Sequence, residues 1–488
     1  MSGGTAVAFA IGLPLFGTIL ILLNDRYPNI REGITITTSI CLALVVFGLV
    51  PEVTSGGRPG FVLAEIVPGL PIAFKVEPLG MLFALVASGL WVVTSIYAIG
   101  YMRSHHEVQQ TRFYACFAIA ISSAMGICFA GNMLTLFIFY EVLTISTYPL
   151  VTHSESKDAV KAGRTYLGIL IGTSIAFFLL AIIWTWFLTG TLDFTPGGIL
   201  KGTADGPILG FLLFLYIYGI GKAALMPIHR WLPAAMVAPT PVSALLHAVA
   251  VVKVGVFCVL RILTGVFGIE LLSTTSLSTI VCLIASFTVI VSSLIALTQD
   301  NLKRRLAFST VGQLSYIVLG AGIATTFGVV GSMTHIAMHA FGKITLFFCA
   351  GAIYVATGKK YISQMVGLGR QMPITMIAFL VGSMSIIGLP LTGGIISKWY
   401  MILGAMDAEK LWILVIYLIS SLLNAAYFLP IVYNAFFCKD EDTQFPNKVK
   451  EAPLAALLPP VITAIGTGIL FFYPELFLNF AKLAVGVN

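Results

Sequence analysis

The chain has 488 residues, 58% of them hydrophobic and only 10% charged. So little charge cannot keep a surface of this size in water, which excludes a soluble enzyme or binding domain. The formal charge of +7 would suit nucleic acid in a soluble protein; here a cationic membrane face explains it, and no nucleic-acid partner is expected.

In chain order, the apolar segments predict spans at 5–24, 34–51, 78–100, 112–130, 132–151, 164–188, 207–227, 241–264, 273–297, 306–323, 327–356, 372–400, 411–437 and 453–473. The stretches 166–192, 271–299, 371–397 and 411–438 contain no Asp, Glu, Lys or Arg. Each is longer than the roughly 20 apolar residues that cross a hydrocarbon core. Lipid satisfies no backbone hydrogen bonds, so the expected fold is all-α, a polytopic membrane bundle of about fourteen transmembrane helices. The first run lacks a basic flank and a small-residue cleavage site, and reads as a span rather than a signal peptide. Only Gly131 and Asn132 mark the turn between 112–130 and 132–151. The polar loops 52–77, 189–206 and 438–452 are too short for a soluble domain, and no phosphate loop is present. The seven cysteines are scattered and mostly in apolar runs, with no metal-ligand spacing, so inert buried thiols and no metal or other cofactor are expected.

Placing both termini outside the cytoplasm puts seventeen of the 27 Lys and Arg in cytoplasmic loops, among them Arg31, Lys303, Lys359, Lys360, Lys439 and Lys448. Six, including Lys75 and Arg261, fall on the other side, which agrees with the positive-inside rule and an even number of helices. Four lysines remain inside spans: Lys222, Lys253, Lys343 and Lys398. Among the acids only Glu141 does. A charge at the bilayer centre costs at least about 2.5 kcal/mol, so each of the five is a functional candidate. For a single lysine, an ion pair or a reach toward the interface is an adequate explanation; for five charges together it is not.

A Glu–Lys pair at low dielectric titrates as a unit, so opening or closing a Glu141–Lys222 pair would move a proton. Lys222 lies five residues before Pro227, and Lys398 eight after Pro390. Proline breaks a helix, and broken helices bearing ionisable residues in two halves of a chain point to inverted repeats around a transport site. His335, His339 and Lys343, spaced i, i+4, i+8, share one helix face as a polar stripe suited to proton relay. Ser243 and His247 are also four apart. Lys253 is about 120° around the helix from His247 and needs a bend or water to join the same path.

The stretch Gly221–Ala235, GKAALMPIHRWLPAA, with Ala238–Ala248, APTPVSALLHA, resembles the signature of the antiporter-like subunits of respiratory complex I, Mrp-type Na⁺/H⁺ antiporters and membrane-bound hydrogenases. Asp300–Arg304 with Ala307–Tyr316 resembles a second block of that family, and Thr334–Lys343 a third. The resemblance covers roughly 112–436. It implies three N-terminal helices in 1–111, two inverted five-helix repeats near 112–265 and 273–436, and a C-terminal helix in 453–488. It further implies that Glu141 and Lys222 form the first half-channel, that His247, Lys253, His335, His339 and Lys343 form a central hydrophilic axis, and that Lys398 stands at the exit. Lysine at that last position, and an end soon after the fourteenth helix, make an Mrp D-type subunit the expected identity. Its partners would be other membrane subunits, with H⁺ and potentially Na⁺ as cargo, in the cell membrane. A proton-pumping module of a redox enzyme is the alternative. A membrane scaffold with vestigial charges would instead tolerate Ala at Glu141 or Lys222.

Overall fold

The computed structural model describes residues 2–438 and 450–487. Helices α1 (Gly3–Leu23) and α2 (Pro28–Gly48) precede an antiparallel hairpin, β1 (Gly60–Val67) and β2 (Leu70–Lys75). There follow α3 (Pro78–Ser104), α4 (Gln110–Cys128), α5 (Met133–Val151), α6 (Lys157–Thr189), α7 (Gly206–Gly219) and α8 (Thr240–Phe267). The second part of the chain contains α9 (Leu277–Thr298), α10 (Leu302–Gly322), α11 (Thr326–Thr357), α12 (Pro373–Ile387), α13 (Gly394–Asp407) and α14 (Leu411–Phe437). The described chain closes with α15 (Leu454–Phe472) and α16 (Glu475–Ala484). Among the described residues, eleven helices are long and apolar enough to cross a membrane.

Local chemistry sets the helix starts. Asn132 Oδ1 accepts from Thr135 N at 2.8 Å, so the short Gly131–Asn132 signal does separate α4 from α5. Ser156 and Asn301 cap α6 and α10 in the same way. Pro28, Pro78 and Pro373 open their helices, where a missing N–H costs nothing.

All fourteen expected spans contain helix, with corrections: 207–227 is an α-helix only as far as Gly219, and 372–400 is two helices, α12 and α13, with a break between them. The segment 52–77 is not simply a loop: Phe61, Val62, Ile66, Ile72 and Phe74 give it strand character, and Gly69, at φ 82°, turns the hairpin. The expected C-terminal helix is two helices, parted at Tyr473-Pro474. Arg31 and Arg261, expected in loops, are buried within helices because both find partners. Arg31 donates to Thr111 Oγ1 and Gln110 Oε1, each at 2.8 Å, beside a Glu32–Arg103 ion pair. Arg261 lies 2.5 Å from Glu77. Burial pushes the Glu77 carboxyl up, but Arg261 and Lys75 outweigh it and hold it below its ordinary value. Residues 439–449, with the loop lysines Lys439 and Lys448, lie outside the described residues.

The interior is built around α11, which packs on α3, α8, α10, α12, α13 and α15. The apolar window of α8 is 100% buried and that of α11 94%, against 33% for α6 and α14. Polar side chains on α8 and α11 therefore face protein, not lipid.

Candidate functional site

The four lysines of the spans are enclosed: Lys222, Lys253 and Lys343 are 0% exposed and Lys398 7%. An enclosed ammonium must find acceptors, and each does.

Helix α7 stops at Gly219. Lys222 sits in the turn that follows, and Pro227 lies within the break before α8. Helix α8 crosses this turn so closely that a Cβ on Gly255 would lie 2.2 Å from the Lys222 carbonyl carbon. Lys222 Nζ donates to Tyr140 O at 2.8 Å and Thr144 Oγ1 at 2.6 Å, and stands over the Tyr140 ring. Glu141 is not its partner. Among the described residues no ion pair joins Glu141 to any base, and both its carboxylate oxygens are enclosed without a hydrogen bond.

The bend that Lys253 requires is present. Residues Leu245–Val249 form a π-helical turn, and Ala250 departs from helical geometry at φ −114°, ψ −77°. Such bulges re-aim side chains. Lys253 Nζ thereby meets His339 Nδ1 at 2.6 Å. The His339 and His335 rings stack, with centroids 5.8 Å apart. His335 Nε2 faces Gln313 Oε1 at 3.1 Å, and Nδ1 faces Ser397 Oγ at 2.7 Å. Ser397 Oγ also reaches Gly394 O at 3.2 Å. In neutral His335, Ser397 donates to Nδ1; in the cation, Nδ1–H donates to Ser397, which then donates to Gly394. Both protonation states are satisfied without movement of heavy atoms, which is what a relay needs.

Lys343 donates to Ser309 Oγ at 2.8 Å, and Tyr427 donates to the same hydroxyl at 3.0 Å. His247 lies against Phe347 with both ring nitrogens unpartnered, as is Ser243 Oγ one turn before it. Pro390 lies in the gap between α12 and α13. There Lys398 Nζ donates to Ile386 O at 2.8 Å and Ile387 O at 2.9 Å, the last carbonyls of α12. A cation at a helix C-terminus satisfies orphan acceptors and the helix dipole together. Gly388, at φ 89°, admits this: a Cβ there would meet Lys398 Cδ at 2.7 Å.

The structure thus joins Lys253, His339, His335 and Ser397, whose chain neighbour is Lys398. It leaves Glu141 and Lys222 apart. It also adds residues that sequence reasoning passed over. Ser309, Gln313 and Tyr316 lie on one face of α10, and Lys398 Nζ stands 4.7 Å from the Tyr316 ring centroid. Their i, i+4, i+7 spacing was a usable signal. Tyr140 and Tyr427 gave none, since tyrosine occurs in membrane helices for many reasons.

A cavity of about 940 Å³ lies where the break after α7, the start of α8, the start of α10 and the end of α11 meet. Glu107, His229, Thr240, Lys303 and Lys360 line it. Outside the spans, burial pushes the Glu107 carboxyl up against the pull of Lys303. Burial and the Arg112 guanidinium push the imidazole of His153, 3.8 Å from Glu107, down. Thr240, Ser243 and His247 continue inward from the cavity wall at i, i+3, i+7.

Residues 130–424 match the family described as NADH:quinone oxidoreductase/Mrp antiporter, transmembrane. Residues 68–114 match the N-terminus of chain 5 of NADH-ubiquinone oxidoreductase (complex I). The first interval contains every site residue from Glu141 to Lys398. The chain is 31% identical over 480 residues to NADH-quinone oxidoreductase subunit N of Desulforudis audaxviator, covering 95% of each. It spans 44–62% of the length of several longer curated relatives. Among solved structures it resembles a chain of the membrane-bound sulfane sulfur reductase, an archaeal respiratory membrane complex, with a TM-score of 0.86 and 25% identity over 99% of this chain and 98% of that one. It also resembles a chain of the Mrp complex from Dietzia sp. DQ12-45-1b, with a TM-score of 0.84 and 20% identity over 98% and 97%.

Proposed function

Because the chain belongs to the NADH:quinone oxidoreductase/Mrp antiporter membrane family, we propose that it is an ion-translocating subunit of a multisubunit membrane complex, carrying protons along its buried Lys and His residues. The observation that carries this reading is the Lys253–His339–His335–Ser397 chain, with contacts of 2.6 and 2.7 Å at its ends. A proton passes from the Lys253 ammonium to His339 Nδ1, across the stacked imidazoles through water, and through Ser397 to the neighbourhood of Lys398. The unpartnered nitrogens of His247 and His339 Nε2 are the groups that water would contact. The cavity at Thr240 is the mouth on the cationic, cytoplasmic face, and both termini lie on the opposite side of the cell membrane. The intervals 112–265 and 273–436 act as two half-channels related by inversion, broken at Pro227 and Pro390. Lys222 is the switch of the first: it rests on Tyr140 and Thr144, and rotation toward Glu141 closes the coupled pair.

The complex is taken to be an Mrp-type cation/proton antiporter, with this chain as its D-type subunit and Na⁺ as the exchanged ion. A second reading, a proton-pumping module of a redox enzyme, is favoured by the likeness to subunit N and to the sulfane sulfur reductase chain. The subunits that co-purify separate the two: small antiporter subunits support the first, iron–sulfur or nickel–iron subunits the second. In either case Lys222→Ala and Glu141→Ala abolish or severely reduce proton translocation by the complex in vesicles while the protein still inserts. Wild-type rates in both variants would remove the first half-channel from the mechanism.

A further inference from the structure

The route described runs from Lys222 inward. A second set of charged groups lies between the Lys222 crossing and the hairpin. Helix α8 crosses the Lys222 backbone at Gly255. Cys258 follows one turn later, fully buried. Arg261 lies six residues past Gly255, about 9 Å along the axis. Its Nη1 is 2.5 Å from Glu77 Oε2, and Glu77 Oε1 is 3.4 Å from Lys75 Nζ. Side-chain exposure rises along this set: 7% at Arg261, 18% at Glu77 and 49% at Lys75. These ion pairs therefore lead from the buried helix α8, about two turns past its crossing of Lys222, to solvent.

Arg261 is held on every side. Nη2 donates to Ala130 O at 3.3 Å, and the guanidinium lies over the Phe194 ring at 4.2 Å. Around it the backbone is stitched shut: Lys75 N donates to Phe129 O at 2.7 Å, Gly131 N to Ala73 O at 2.9 Å and Met133 N to Leu192 O at 3.0 Å. Neither the proton path nor the lysine switch uses these groups.

We infer that Arg261, clamped by Glu77, is a fixed positive plug that closes the route from Lys222 to the hairpin face, so that a proton on Lys222 can leave only toward the central axis. Two features suit the guanidinium to this. It does not give up its proton in proteins, so it cannot relay one. Arg261 and Lys75 against the single Glu77 carboxylate also leave one net positive charge here, which repels protons and other cations, as in pores that exclude them. Lysine or histidine in this place would titrate and conduct. Glu77 sets the position of the guanidinium and offsets the cost of burying it.

The inference rests on Lys222 being a proton carrier, and the test separates the two claims. The intact complex is reconstituted in vesicles, a pH gradient is imposed without the driving reaction or a counter-ion gradient, and its collapse is followed. Arg261→Gln is expected to collapse the gradient several-fold faster than wild type, and the double variant Arg261→Gln with Lys222→Ala to return it to the wild-type rate. Glu77→Gln, nearly isosteric, is expected to leak less than Arg261→Gln but more than wild type, and it gives the readout if Arg261→Gln fails to assemble. Wild-type tightness in both Arg261→Gln and Glu77→Gln, or in Glu77→Gln where it alone assembles, overturns the plug. A leak that persists when Lys222 is also replaced overturns it too, because the leak then bypasses the lysine. Coupled translocation in Lys222→Ala alone reports separately on the lysine: if it is retained, the carrier role fails, whatever the leak does.

Discussion

A buried ammonium is tolerated only as far as its three donors are matched, and the matches here differ in kind. Lys398 rests mainly on backbone carbonyls, Lys222 on one carbonyl and a threonine hydroxyl, Lys343 on a serine hydroxyl and Lys253 on an imidazole. Only the last is a group that can take the proton, so in the proposed route Lys253 is the first mobile link. At Lys222 the short bond to Thr144 Oγ1 holds the charged form. Thr144→Val leaves a donor unpaired, at about 1–3 kcal/mol. Initial rates of proton translocation are therefore expected to fall about tenfold or more in Thr144→Val and to stay near wild type in Thr144→Ser; equal rates in both would show that the hydroxyl is irrelevant. The lysines and histidines were legible before any coordinates, because a charge in an apolar span has no cheap explanation. Their partners were not. Thr144, Ser309, Tyr140 and Tyr427 are residue types that membrane helices carry for many reasons, and only tertiary packing brings them to a lysine. Glu141, paired with Lys222 in the family pattern, has both carboxylate oxygens enclosed without a hydrogen bond in this conformation.

Breaks and bulges decide where the side chains of an element point. Proline announced the breaks near Lys222 and Lys398, and the structure has both. The π-turn at Leu245–Val249 had no announcement, although it resolves the 120° offset between His247 and Lys253. The hairpin was hidden by its length, too short for a span and easily read as loop. Close helix crossing is the other element-level feature. A Cβ on Gly255 would lie 2.2 Å from Lys222 C and 2.3 Å from Ala223 N, both backbone atoms that cannot swing aside. Gly255→Ala is expected to destabilise the subunit by at least about 1–3 kcal/mol, the usual cost of overpacking. Gly89→Ala, on α3 with nothing within 4 Å, is the control and is expected to be neutral or slightly stabilising. Thermal unfolding in detergent measures both, and equal midpoints would mean that the crossing is looser than described.

For the whole molecule, composition alone dictated a membrane bundle, and the span count followed from where charge is absent. What composition could not supply is which helices are interior. That emerges from α8 and α11, nearly or wholly buried yet carrying His247, Lys253, His335, His339 and Lys343. Two helices with the most polar stripes occupy the centre, so the bundle surrounds a polar axis. The axis is continuous only if protons cross between the stacked imidazoles, and His339 is the one residue bonded to Lys253 on one side and stacked on His335 on the other. The most direct measurement is therefore proton translocation by the reconstituted complex bearing His339→Leu, with assembly verified. Translocation at background level, with Lys222 and Lys398 still in place, is the predicted result; a wild-type rate would contradict a single route through the buried axis.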